Sequence, residues 1–337
     1  MTRMRALSLL SLATSLFVPA ALADNTINAR PGTINYVEGQ ATLNGQTLTS
    51  QSTGHTEVAT GQTVATTNGK IEILLTPGVF LRLGDNSSVT MVSPDLTKTE
   101  VQLNAGTAEV EVDQLYKEND LLIDQGAAQT KLLKNGLYEF DATANKMRVF
   151  DGEAAVSQSE TAQKWTKVKG HHELALTGEA VKSQGFDGKQ IADSDSLYQW
   201  SKLRASYLGQ ANLDLAQEYA GSAGFYPGWF WDPGLYAYTW LPGDGLFWSP
   251  FGFGFYSPYY LYSGGFIYPG YGFRGGFYHG PYRGGYGYHG PIHSAPGPVN
   301  HGMSGGGFHG GGGFHGGGGS HGGGGFHGGG GGHGGRY

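Results

Sequence analysis

Residues 100–113 read EVQLNAGTAEVEVD, and this stretch decides the fold. Val101 and Leu103 alternate with polar neighbours, Asn104, Ala105 and Gly106 supply a turn, and Ala108, Val110 and Val112 resume the alternation. A period of two marks a half-buried strand, because successive side chains point to opposite faces. Glu109, Glu111 and Asp113 then share the second face and are expected to point to water. Their strict alternation with apolar residues reads as a solvated strand face rather than as paired catalytic carboxylates.

Outward from this unit the same pattern recurs from about residue 28 to residue 183. Asn44-Gly45, Asn68-Gly69, Pro77-Gly78, Asn135-Gly136 and Asp151-Gly152 punctuate it. Each pair can supply the positive φ of a tight turn. Apolar stripes of helical length are missing, so residues 24–185 are expected to form one all-β domain of stacked antiparallel strands, sandwich- or solenoid-like. A domain of roughly 155 residues buries about 70% of its unfolded surface, enough for a core without the disulfides that a cysteine-free chain lacks.

From Asp193 the period changes. Leu197, Trp200, Arg204, Leu208, Ala211 and Leu215 fall at three- and four-residue steps. This predicts one α-helix within a linker-and-helix region, 186–221, capped by Asp193 or Ser194 and ended by Gly221. Trp200, Leu208 and Leu215 should lie against the β-domain.

The N-terminus carries Arg3 and Arg5, an uncharged apolar run over 6–18, and Ala21-Leu22-Ala23. These are the parts of a signal peptide over 1–23, which makes Asp24 the expected mature N-terminus. The expected location is therefore the periplasm, the outer membrane surface or the medium. No later stretch is apolar for long enough to cross a bilayer as a helix, so no transmembrane segment is expected in the mature chain. Loss of the two arginines leaves 19 basic against 27 acidic residues, which argues against nucleic acid or another polyanion as partner.

The C-terminal third has a different composition. Residues 221–291 hold 26 aromatic side chains among Gly, Pro and Ser, too broken for long strands or helices. The segment 222–292 is expected to be a largely disordered aromatic tail in which Trp229, Trp231, Trp240 and Trp248 fold locally or dock on a partner. Residues 293–337 hold 24 of the 60 glycines, too much backbone entropy for folding alone. Within them His309, His315, His321, His327 and His333 recur every six residues as candidate zinc, copper or nickel ligands. The competing reading is a low-complexity tail kept hydrated by its histidines.

The β-region resembles the FecR domain of bacterial envelope proteins over about residues 33–178. Residues 35–43 (NYVEGQATL) are similar to that family's opening strand, and 61–69 (GQTVATTNG) to the lead into its central strands. Residues 71–87 (IEILLTPGVFLRLGDNS) resemble its hairpin, 101–112 its strand, turn and strand about Gly106, and 136–141 (GLYEFD) with 148–156 (RVFDGEAAV) its closing strands. The resemblance implies an extracytoplasmic β-domain without catalytic residues, used in some relatives to relay a signal across the inner membrane. Those relatives carry a sigma-factor-binding helical region and a transmembrane helix before the domain, where this chain has a signal peptide. Other exported relatives follow the domain with a Trp, Tyr, Pro and Gly-rich segment, which 229–258 resembles.

The sequence holds no HExxH pair and no zinc-type cysteine pair. The glycine triplets of 270–275 and 285–290 neither follow a strand nor open a helix, so no dinucleotide is expected. His171, His172 and Glu173 provide too few ligands to close a metal site. No enzyme and no cofactor are expected. The leading expectation is an exported binding or structural protein, with the FecR-like domain as platform and the aromatic tail attaching it to an envelope polymer, an envelope protein or its own copies. The alternatives are an extracytoplasmic signalling component that binds a membrane partner, and a metal-sequestering His-rich tail.

Overall fold

The computed structural model describes residues 29–159, 164–179, 181–222 and 224–265. The expected signal peptide, the aromatic residues beyond 265 and the five spaced histidines lie outside the described residues. Within them the period-two segments form strands β1 (Ile34–Leu43), β2 (Gln46–Leu48), β3 (Thr63–Leu74), β4 (Val79–Leu83), β5 (Ser88–Pro94), β6 (Lys98–Ala105) and β7 (Thr107–Val112). They continue as β8 (Asp120–Gln125), β9 (Ala128–Leu132), β10 (Gly136–Asp141), β11 (Lys146–Asp151), β12 (Glu153–Ser157), β13 (Trp165–Lys169), β14 (His172–Ala175) and β15 (Gln184–Gly185).

These strands make one mixed sheet in the order β13-β12-β9-β8-β6-β5-β3-β4-β7-β10-β11-β14-β15, with β1 beside β3 and β2 beside β1. All pairings are antiparallel except β6 with β8. The expected all-β architecture is therefore present, as a sheet that folds over on itself. The fold line runs through β3: residues 63–65 pair with β5, residues 71–74 pair with β4, and β1 follows both parts. One layer thus runs from β5 to β13 and the other from β4 to β15. A single apolar core joins them, taking Val64, Val101, Ile123 and Val156 from the first layer and Ile73, Leu81, Val110 and Phe140 from the second.

Glycine permits the corner. Gly69 in β3 faces Gly39 in β1, where the register slips, and a Cβ on Gly69 would stand 2.5 Å from the Glu38 carbonyl oxygen. Asn68-Gly69, read above as a turn, is therefore a bulged strand interior whose glycine serves close backbone approach rather than chain reversal. Pro77-Gly78 does close the β3–β4 hairpin, and Asn44-Gly45, both at positive φ, closes β1–β2. Gly106 (φ 72°) has another role: it carries the chain from β6 in one layer to β7 in the other, and Gly152 (φ 98°) does the same between β11 and β12.

The helical stretch is divided. α1 (Gly188–Ser194) and α2 (Ser196–Glu218) meet at Asp195, whose carboxylate accepts the amides of Leu197 at 2.7 Å and Tyr198 at 2.9 Å. The cap is thus Asp195 rather than Asp193 or Ser194. Trp200, Leu208 and Leu215 are buried, as their spacing predicts.

The aromatic segment departs furthest from expectation. β16 (Gly228–Asp232) pairs with β17 (Ala237–Leu241), and β18 (Leu246–Trp248) with β19 (Gly254–Tyr256). These hairpins pack on the second layer through a second core of Leu74, Phe80, Leu208, Tyr238, Trp240 and Phe255. The residues up to Phe255 therefore complete the domain rather than trail from it. Proline and glycine do break the segment, but strands of three to five residues suffice when a helix and a sheet are already there to cover.

Candidate functional site

The chain's charge chemistry converges on the outer face of the second layer. Glu72 in β3, Arg82 in β4, Glu109 in β7, Glu139 in β10, Arg148 in β11 and Glu173 in β14 are successive cross-strand partners. Alternation correctly places Glu109, Glu111 and Asp113 on one face, but that face is not wet: all three are at most 1% exposed. Periodicity tells which residues share a face and not what covers it. Here α2 and the hairpin of β18 and β19 cover it, and an ion pair with Arg82 offsets the burial of Glu111.

The pairing is dense. Arg82 donates from Nε to Glu72 at 2.8 Å and from Nη1 to Glu111. Arg204 reaches down from α2 to Glu72 at 2.9 Å, with its guanidinium carbon 4.0 Å from the ring centroid of Tyr36. Ser249 donates its hydroxyl to Glu111, Arg148 bridges Glu139 and Glu173, and the Trp200 indole donates to Glu38 at 2.8 Å.

Of the buried carboxyls, Glu72, Glu111 and Glu139 meet arginines, whereas Glu109 and Asp113 do not. Burial alone would raise Glu72, but Arg204 and Arg82 outweigh it and hold the carboxyl down to about 2. Glu109 is pushed up to about 8, chiefly by burial, with Glu139 and Asp195 adding to the rise and Ser201 opposing it. Glu139 rises to about 7 for the same first reason despite Arg148, and Asp113 is raised well above its ordinary value by burial and by Glu111. Glu109 therefore carries a proton at neutral pH.

Asp195 acts on this network as well as on its helix. Asp195→Ala should cost about 1 kcal/mol through the lost cap. Asp195→Asn should keep the cap and remove a charge that disfavours ionised Glu109 and Glu139. Thermal melts at pH 8 should therefore rank the asparagine variant at or above the parent and the alanine variant below it.

Two buried asparagines attach the aromatic hairpins. Asn35 gives Nδ2 to the Tyr238 carbonyl at 2.9 Å and takes the Tyr238 amide at 2.7 Å, so it pairs with β17 as a strand would. Asn212 on α2 donates to the Trp240 carbonyl at 2.8 Å and accepts the Tyr256 amide at 2.7 Å, joining β17 to β19. Neither was singled out in the sequence, where an asparagine in a strand or helix marks no pattern.

The four tryptophans expected to bind a partner separate. Trp240 is fully buried against Phe247 and Phe255, and so is corrected from binding residue to core. Trp229 meets Phe80 edge-on at 5.1 Å, and Trp231 lies over Gly54; both are half-buried. Trp248 alone of the four is 60% exposed. Near the C-terminal end of α2 a cleft of about 380 Å³ is lined by Tyr219, Phe225, Pro258, Tyr259 and Tyr262. Of the other sequence candidates, Glu173 is engaged by Arg148 and Lys146, and His171 sits in the turn before β14. Among the described residues no helix is long and apolar enough to cross a membrane, and no cluster of three metal-ligating side chains forms.

No protein-family model matches the chain, and no curated protein sequence does. Two crystal structures of a candidate anti-sigma factor from Parabacteroides distasonis are similar to part of it, at 2.50 and 1.65 Å resolution. Their TM-scores are 0.33 and 0.32 at 12% identity, over 39% and 38% of this chain and 62% and 61% of theirs. The chain therefore spans about three-fifths of the length of those proteins. A likeness of this degree assigns neither family nor activity.

Proposed function

We propose that the protein is an exported, non-enzymatic binding protein of the bacterial envelope, in which a FecR-like β-domain presents an aromatic attachment surface. The observation that carries this reading is the division of the aromatic segment. One set of rings is spent on the core, while Tyr226 before β16, Trp248 at the end of β18, and Tyr259 and Tyr262 after β19 are 60 to 80% exposed. Rings with an apolar body and a polar tip suit wet contacts with polymers or proteins, and their rigid mounting lowers the entropy lost on contact. The signal-peptide pattern over 1–23 and the FecR resemblance support this compartment.

Cells producing the full chain and a variant with Tyr226, Trp248, Tyr259 and Tyr262 replaced by alanine test this. The variant should move from the envelope fraction to the soluble one, and the parent should resist release by high salt, because few charges lie in the segment. A folded variant that stays attached as firmly as the parent would sink the reading.

A further inference from the structure

The outer face of the first layer is the counterpart of the charged row, and among the described residues no helix or hairpin roofs it. Thr90 in β5, Gln102 in β6, Asp124 in β8, Gln129 in β9, Ser157 in β12 and Trp165 in β13 are successive cross-strand partners. Their neighbours Val101, Leu103, Ile123 and Val156 point into the core, so the row faces outward. From Gln102 to Trp165 it borders a cleft of about 290 Å³, near the lower end of sizes for ligand sites. The floor is roomy because the β8–β9 turn contributes only Gly126, Ala127 and Ala128.

Three features separate this row from an ordinary wet strand face. The Trp165 indole stands 43% exposed on the edge strand of the sheet. Gln129 is fixed, its amide donating at 3.2 Å to Glu100, which is itself 8% exposed and paired with Lys98 at 3.1 Å. The groups along the row repeat at the strand spacing of about 4.8 Å, close to the rise per residue of an extended β-1,4-linked pyranose chain. Amides beside an aromatic face are the means of reading sugars: hydroxyls meet the amides, and the C–H face of the ring stacks on the indole. Glu100 and Asp124 both border the cleft, which disfavours an acidic polymer.

We propose that this face binds an extended, neutral β-1,4-linked glycan, with Trp165 as the stacking platform and Gln102 and Gln129 as hydrogen-bonding groups. The site lies apart from the aromatic cleft and stands or falls independently of it.

Calorimetric titration of the full mature chain with cellohexaose, chitohexaose and maltohexaose tests the proposal. At least one β-linked hexamer should bind, cellohexaose marking a glucan and chitohexaose an amino-sugar wall strand, while curved α-linked maltohexaose should bind about tenfold more weakly or less. Trp165→Ala should lower affinity about tenfold, Trp165→Phe should restore most of it, and the double variant Gln102→Ala, Gln129→Ala should lose about tenfold. Absence of heat with both β-linked hexamers overturns the proposal. So does full affinity in Trp165→Ala, or, where that variant melts abnormally, in the double glutamine variant.

Discussion

A fragment of residues 24–221 should fail to show a cooperative unfolding transition, whereas residues 24–265 should unfold as one unit. Ending the chain at Gly221 uncovers Leu74 and Phe80, removes Tyr238, Trp240 and Phe255 from the second core, and leaves Asn35 without its β17 partners. In the intact chain Trp240→Ala should lower stability by about 3 to 5 kcal/mol, the usual result of emptying a fully buried indole site. Urea denaturation followed by far-ultraviolet circular dichroism measures both. A shorter fragment with a sharp transition at the full-length midpoint would show that the hairpins only decorate a finished domain.

Glu109→Gln should stabilise the protein in mild alkali and change little near pH 4.5. The folded carboxyl holds its proton up to about pH 8, whereas the unfolded one releases it near its ordinary value of 4.5. Below 4.5 both states are protonated and the group adds no pH slope. As the pH rises from 4.5 to 8, only the unfolded chain gains by ionising, so stability falls across that window. Glu139 acts in the same direction up to about 7, and Glu72 acts oppositely, its contribution being lost as the pH falls from 4.5 towards 2. The stability maximum should therefore lie on the acid side of neutrality. Glutamine keeps the shape without the titration, and at 1.36 kcal/mol per pKa unit its gain at pH 8.5 should be roughly 3 to 5 kcal/mol. Equal urea midpoints for parent and variant at pH 8.5 would mean that water reaches Glu109 and the face is not sealed.

Local features of the fold were legible in the sequence because local physics produces them. Val101 to Val112 alternate as strands do, Pro77-Gly78 turns as a hairpin turn must, and Trp200, Leu208 and Leu215 mark the buried stripe of α2. What escaped was everything decided at a distance. Gly106 reads alike whether it closes a hairpin or carries the chain to another layer. Glu109 and Glu111 look solvated until a helix some ninety residues later is laid on them, and Trp240 looks like a binding residue until Asn212 anchors its strand. Signals for the roofed face were nonetheless present. Arg82 stands between Leu81 and Leu83, and Arg204 lies within the apolar stripe of α2; arginines so placed need buried acids, and the Glu109 to Asp113 alternation offered them.

The pairing of Asn35 with Tyr238 joins residues 203 positions apart, and this sets the order of events when the chain is made. Contacts that close very long loops form late, after local turns and hairpins. A polypeptide emerging N-terminus first can assemble the β3–β4 and β10–β11 hairpins, yet it has no lid for their charged and apolar outer face until Phe255 is free. During synthesis the first two hundred residues thus hold both layers and the core between them while the outer face of the second layer stays bare to proteases and to chaperones that hold chains unfolded.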